Sequence, residues 1–301
     1  MTLEQRTHGM LLGAFVGDAL ALGPHWIYDR QKIQQRFGRA TGYQDPATQY
    51  HPGKKAGDYT HLGDQMLILQ KSIQSHGGLF DAEDFLQSWR AFWTATTTRS
   101  YVDKATRTVL GSMEDGFSIM EAASSSTEFA GPVRGIPVLV TGLLNGHDEA
   151  SLTTAMKEQT RLTHRSPEAL DVAAFMARLA SGLAAHLDLE TALDGALGDS
   201  SQFVRDHGRK AESARVANVT TGEAVEILGQ TCDSDQALPS SLYILRRHQG
   251  NFEEALIENV MAGGDSAARG IFIGAVLGWL HGEAGIPQAW RTGLRQPPQE
   301  L

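Results

Sequence analysis

The chain reads as an all-α protein, on three observations. Apolar and alanine residues recur at the i, i+3, i+4 spacing of a single buried helical stripe. Capping residues stand where those stripes begin. Sustained β-alternation is missing, and only pieces as short as Val138–Val140 pass as strand.

The elements follow in order. Gly9, Gly13 and Gly17 fall every fourth residue among Met10, Leu11, Leu12, Ala14, Phe15 and Val16. Glycine costs about 1 kcal/mol relative to alanine inside a helix, so the spacing needs a reason: a glycine ridge lets another backbone approach closely. The Gly/Pro/polar stretch Thr41–Gly57 is a long surface loop, a length often tied to function. Its Tyr43, Tyr50, His51, Lys54 and Lys55 suit either a lid over a nucleotide or a plain surface loop. A polar run, Gly57 to Gln65, then opens the apolar helix at Met66-Leu67-Ile68-Leu69. Asp81 caps the stretch Ala82–Ala95, whose Trp89 and Trp93 sit at i and i+4 and belong to the core or an interface. Ser124–Thr127 is a short polar connection. Ser166, followed by a first-turn proline, starts the stripe Pro167–His186. Residues 188–222 read as surface helices, and Phe252–Met261 as a further helix. Gly270, Gly274, Gly278 and Gly282 repeat the glycine spacing near the C-terminus. The two glycine helices are expected to be central and packed on each other, and an uncovered glycine face would serve a homodimer. No linker or fixed-period repeat divides the chain, so one domain is expected over 1–301, with its core about 9–282.

Composition narrows the function classes. A chain of 301 residues buries roughly three quarters of its unfolded surface, so it needs neither disulfide nor metal merely to hold a core. Lys+Arg 26 against Asp+Glu 35 gives a formal charge of −9, which argues against broad nucleic-acid binding. The single cysteine, Cys232, excludes an intramolecular disulfide framework. Met1–His8 has no basic region ahead of an apolar one, and the longest apolar run, Gly270–Leu280, is too short to span a bilayer. A cytoplasmic protein with no membrane role is the expectation.

Three aspartates stand at the mouths of three apolar helices. They are Asp18 after the first glycine helix, Asp64 before Met66, and Asp265 in Gly263-Gly264-Asp265-Ser266. A buried carboxylate has to be capped, paired or metal-bound, and each of the three also suits a plain helix-end role. With His61 they describe a carboxylate-lined pocket, the kind that suits Mg²⁺ or glycosidic cleavage. The glycine turns at Gly63 and Gly263-Gly264 offer backbone N–H groups to phosphates.

These motifs, in this order, resemble the ADP-ribosylglycohydrolases of the dinitrogenase-reductase-activating type. The resemblance rests on Gly17-Asp18-Ala19-Leu20, Leu62-Gly63-Asp64-Gln65, Leu162-Thr163-His164 and Gly263-Gly264-Asp265-Ser266-Ala267-Ala268, with Ala237–Leu242 and Phe252–Ala255 upstream of the last. It spans about Gly9 to Gly282 and implies a single-domain, orthogonal helical bundle with a two-Mg²⁺ cleft. The run Leu22-Gly23-Pro24-His25-Trp26-Ile27-Tyr28-Asp29 resembles the branch that contains the J-crystallins. The departures fall on the metal motifs. Where the family pattern has carboxylates and a threonine, this chain has Leu62, Gly63, Ala267 and Ala268. Asp64 and Asp265 alone remain as metal ligands, enough for one mostly hydrated Mg²⁺ at most.

The resemblance implies a hydrolase of an ADP-ribosyl or related N/O-glycosidic bond, acting on a small-molecule or ADP-ribosylated substrate. Asp64, Asp265 and His61 are its expected catalytic groups. Asp18, His25, Asp58, Gln65, His164, Gly263, Gly264 and Ser266 are its expected substrate-binding groups. Two other readings stay open: a non-catalytic ADP-ribose or nucleotide binder, and a structural protein that keeps only the fold.

Overall fold

The computed structural model describes residues 1–299 and 301, with backbone alone at residues 119 and 120. The described residues form seventeen α-helices and one short 3₁₀ turn, with no strand beyond an isolated bridge between Ser124 and His164. No described helix is long and apolar enough to cross a membrane. The chain groups into two compact units. One is Met1–Gly63 with Asp206–Glu300, and the other begins at Asp64 and runs to Arg205.

The first unit is built on the two glycine helices, Leu3–Ala21 and Ser266–His281. They pack antiparallel, backbone on backbone. A Cβ added at Gly9, Gly13 or Gly17 would lie 2.2, 2.1 or 2.0 Å from the carbonyl oxygen of Gly278, Gly274 or Gly270. The expected central pair is therefore present, and each glycine face is consumed inside the chain. That removes the ground on which a homodimer was expected. Gly282 differs from the other repeats: it ends its helix at φ +64 as a C-terminal cap, while its Cα still lies 2.9 Å from where a Cβ on Gly9 would stand. A capping box of Thr2 and Gln5 opens the N-terminal helix.

The second unit carries the capped helices expected from sequence. Asp81 accepts from the Asp84 N–H ahead of Ala82–Thr94, and Ser166 accepts from the Ala169 N–H ahead of Pro167–Ala184. Val138–Val140, the one candidate strand piece, lies instead within the helix Ile136–Leu144. Every residue from Ile136 to Leu143 is buried there, so all-round burial outweighs the β preference of its valines. His207, in the first unit, is buried with its Nε2 3.1 Å from Lys210 Nζ.

Candidate functional site

The site is best built from Asp18 outward, within the first unit. Asp18 ends the glycine-packed part of its helix and is fully buried. Its carboxylate accepts from the Thr60 N–H at 2.7 Å and from the Thr60 hydroxyl at 2.6 Å. Thr60 immediately precedes the helix His61–Ser75, and its hydroxyl accepts from the Leu62 N–H. Asp18 thus fixes the start of the helix that carries His61. Gly63 is small for the same reason: a Cβ there would stand 2.2 Å from Asp18 Oδ2. Asp18 fills the room that a carboxylate at position 63 would have used, and it positions the start of that helix.

Past the N-terminal helix the chain turns through His25 and Trp26. Trp26 adopts φ +63, a conformation L-residues other than Asn and Asp rarely take. Its N–H donates to the Gly264 carbonyl, while the Gly264 N–H donates to the Ile27 carbonyl, both near 3 Å. The Asp265 N–H donates to the Gln230 carbonyl and the Gly263 N–H to that of Val260. This corrects an expectation. The N–H groups of Gly263 and Gly264 are bonded within the protein and do not offer themselves to a phosphate. The two glycines serve conformation, with φ +77 and +74, and a Cβ at Gly264 would sit 2.2 Å from the Gln230 carbonyl.

Asp265 caps the C-terminal glycine helix, accepting from the Ala268 N–H at 3.3 Å. It is buried, and its Oδ1 stands 3.9 Å from His25 Nδ1. Arg269, one helical turn on and fully buried, donates to Asn259 Oδ1 at 3.0 Å and to the Gly263 carbonyl at 2.5 Å. Burial lowers its pKa to about 10, and the neighbouring Asp265 works against that fall. The Ser266 hydroxyl is buried without a hydrogen-bond partner.

The loop Thr41–Gly57 is anchored, which does not suit a lid. Tyr43 Oη donates to the Trp290 carbonyl, Trp290 Nε1 donates to the Thr41 carbonyl, and Asp45 accepts from Lys55 Nζ and the Ala56 N–H. Asp58, expected to bind substrate, accepts instead from the Lys55 N–H at 2.8 Å and pairs with Arg295 at 3.4 Å. The loop delivers His51 inward, where it is only 2% exposed.

His25, His51 and His61 consequently meet. Their ring centroids are 5.6 Å (His25 to His51), 6.2 Å (His25 to His61) and 5.8 Å (His51 to His61) apart. One nitrogen from each lies within 4.8 Å of the others. Trp26 stacks on His25 at 4.3 Å and covers the group, with Tyr50 edge-on to Trp26 at 5.0 Å. Burial pushes the His25 imidazole well below 6.5, with His61 and Arg269 adding to the shift. His51 is pushed down by burial as well, then by His25 and His61. Both rings are neutral near pH 7 when folded, and each takes up a proton near 6.5 when unfolded. Stability is therefore retained above 6.5 and falls as the pH drops below it, by up to about 1.4 kcal/mol per pH unit for each ring. Urea unfolding in a chelator at pH 7.5 and 5.5 reads this slope. The His51→Gln variant is expected to show a flatter one, and equal slopes would overturn the assignment.

The remaining expected site residues lie in the second unit. Asp64 falls in the first turn of the helix His61–Ser75, three residues after His61 rather than at its cap, and is half-buried. Gln65 accepts from Trp89 Nε1 at 2.9 Å and from Arg134 at 3.2 Å, and donates to Asp103. His164 is buried with Nδ1 2.8 Å from the Thr163 hydroxyl and Nε2 3.5 Å from Glu128. Buried Arg134 also donates to Thr163 and Gln159, so Gln65 and Thr163 belong to a polar hub around a guanidinium.

Magnesium, the ion the resemblance implies, takes oxygen ligands. In the first unit Asp18 is held by Thr60 and Asp265 by Ala268, and Gly63, Ala267 and Ala268 supply no side-chain oxygen. The residues there do not fit a bridged magnesium pair. Among the described residues, the one group of three or more His, Cys, Asp or Glu side chains close enough to share an ion is the histidine trio.

Sequence reasoning missed two members of this site. His51 stood in a loop that suited either a lid or a plain surface loop, and Arg269 carried no motif. A buried histidine in a long loop has no local signature; only the fold brings it to His25 and His61.

The profile of the ADP-ribosylglycohydrolase family matches residues 1–301. An uncharacterised protein of Archaeoglobus fulgidus is 27% identical over 300 residues, covering 97% of this chain and 92% of its own length. A solved structure described as an ADP-ribosylglycohydrolase-related protein complex superposes with a TM-score of 0.72 at 22% identity, covering 97% of this chain and 93% of that one. At that identity the likeness is one of fold.

Proposed function

The chain belongs to the ADP-ribosylglycohydrolase family, and on that premise we propose that it hydrolyses an ADP-ribosyl or related N- or O-glycosidic bond. One observation carries the reading. Asp265 holds a buried carboxylate at the start of the helix bearing the last family motif, 3.9 Å from the unprotonated His25. Such a hydrolysis needs one group to activate water and another to protonate the leaving group. Water oxygen bonds to the anomeric carbon as the bond to the leaving nitrogen or oxygen breaks. Asp265 takes the water proton, and the departing nitrogen or oxygen takes a proton from a general acid. His25 lies beside Asp265 without a hydrogen bond to it, and the Ser266 hydroxyl is left to meet a sugar hydroxyl.

The runner-up form has Asp265 holding one mostly hydrated Mg²⁺. It is favoured over the first form only if turnover collapses in chelator and returns with Mg²⁺ alone.

Asp265→Asn is the test of the carboxylate. Asparagine caps a helix about as well as aspartate, so the cap survives while the charge is lost. With a panel of N- and O-linked ADP-ribose conjugates, release of free ADP-ribose is expected to fall about 100-fold or more. The circular dichroism spectrum is expected to stay as in the parent, while the urea midpoint falls because buried Arg269 loses the charge that offsets its own. Release undiminished in Asp265→Asn would reject the role of Asp265, and no release from any conjugate would reject the activity.

A further inference from the structure

We propose that His25, His51 and His61 form a binding site for one zinc-class divalent cation. The three residues come from separate parts of the first unit: the turn after the N-terminal helix, the anchored loop, and the first residue of the helix His61–Ser75. Each offers one ring nitrogen, the nitrogens lie within 4.8 Å of one another, and all three residues are buried.

His25 supplies an independent observation. It is fully buried, and neither of its ring nitrogens has a hydrogen-bond partner. A buried polar group left unpaired is destabilising, and native proteins rarely keep one without a use. A bond to a cation offsets that cost. Tetrahedral zinc at about 2.0–2.1 Å holds imidazole nitrogens roughly 3.4 Å apart, somewhat nearer than the 4.8 Å within which these three lie.

The donor chemistry selects the ion. Neutral imidazole suits zinc, copper, iron and nickel, whereas magnesium and calcium prefer carboxylate, carbonyl and water. Three protein ligands leave a fourth position open, the pattern of reactive rather than closed zinc sites. The surroundings fit as well. Asp265 lies 3.9 Å from His25 Nδ1, beyond a hydrogen bond but beside the nitrogen to which a carboxylate partner of a metal-bound histidine would bond, and Trp26 stacks on the same ring.

The site goes beyond the hydrolase reading, and the two fail separately. A chain that binds zinc and releases no ADP-ribose keeps the site and loses the activity. A chain that releases ADP-ribose and takes up no zinc does the reverse.

The full-length protein, stripped with a chelator, is to be dialysed against Zn²⁺ in the presence of excess Mg²⁺ and its metal counted by mass spectrometry. One zinc per chain, not displaced by magnesium, is expected. Titration with Co²⁺ alone is expected to give the visible absorption of a tetrahedral nitrogen-ligated ion, with no variant required. Zinc affinity is expected to fall about 100-fold or more in His51→Gln and His61→Gln, and by roughly 10-fold in Asp265→Asn, which touches the site through His25. No zinc uptake, or uptake as tight in both histidine variants as in the parent, would overturn the proposal.

Discussion

Replacing Gly274 by alanine is expected to lower the unfolding free energy by about 3 kcal/mol or more. The added Cβ would stand 2.1 Å from the Gly13 carbonyl oxygen and 2.7 Å from its carbon. Both atoms are backbone, so neither can swing aside. The helices have to part, and with them two further glycine pairs, Gly9 with Gly278 and Gly17 with Gly270, lose contact. Alanine's better helix propensity returns only about 1 kcal/mol. Gly111→Ala is the control. Gly111 lies inside the helix Lys104–Glu114 with open space where a Cβ would go, and the change is expected to add up to about 1 kcal/mol. Urea unfolding of the pair reads the difference. A Gly274→Ala midpoint equal to the parent's would mean that the two helices can separate at no cost, contrary to the backbone contact between them.

The glycine pairing was legible because its cause is local in sequence. A residue type that weakens a helix recurs every fourth position in two apolar stretches, and close backbone approach is the one arrangement that compensates both. Asp81 and Ser166 were legible for a similar reason, since a cap acts on the three residues that follow it. The site divides differently. Motif order pointed to Asp265 and His61 but not to the histidine packed beside His61: His51 is 26 residues from His25 and ten from His61 in sequence, and nothing in a polar loop says which way its histidine faces. Gly263 and Gly264 show the opposite failure. Their spacing suits a phosphate cradle, but whether an N–H is available depends on what packs against it, and here the carbonyls of Val260 and Ile27 already accept them. Gln65 and Asp58 failed likewise, because Trp89 with Arg134, and Lys55 with Arg295, had already engaged them.

Arg269→Met is expected to cost about 3–5 kcal/mol, the range for removing one member of a buried charge pair. Methionine nearly matches arginine in reach but donates nothing. The Gly263 carbonyl and Asn259 Oδ1 would each lose a charge-assisted partner. Asn259 is itself tied to the helix start, since its Nδ2 donates to the Ser266 carbonyl at 2.8 Å. The loss would therefore spread to both sides of the Gly263-Gly264 turn. Asp265 would keep its cap but lose the guanidinium that offsets its buried charge. Arg269→Lys restores the charge without the planar fork that reaches two acceptors at once, so it is expected to recover only part of the loss. Urea unfolding monitored by circular dichroism separates the three proteins. A methionine variant as stable as the parent would mean that apolar packing replaces the guanidinium fully, and that the turn is held by its own backbone hydrogen bonds. A lysine variant as stable as the parent would mean that charge alone matters there. The ordering parent, then lysine, then methionine is what a forked donor buried between a turn and a carboxylate requires.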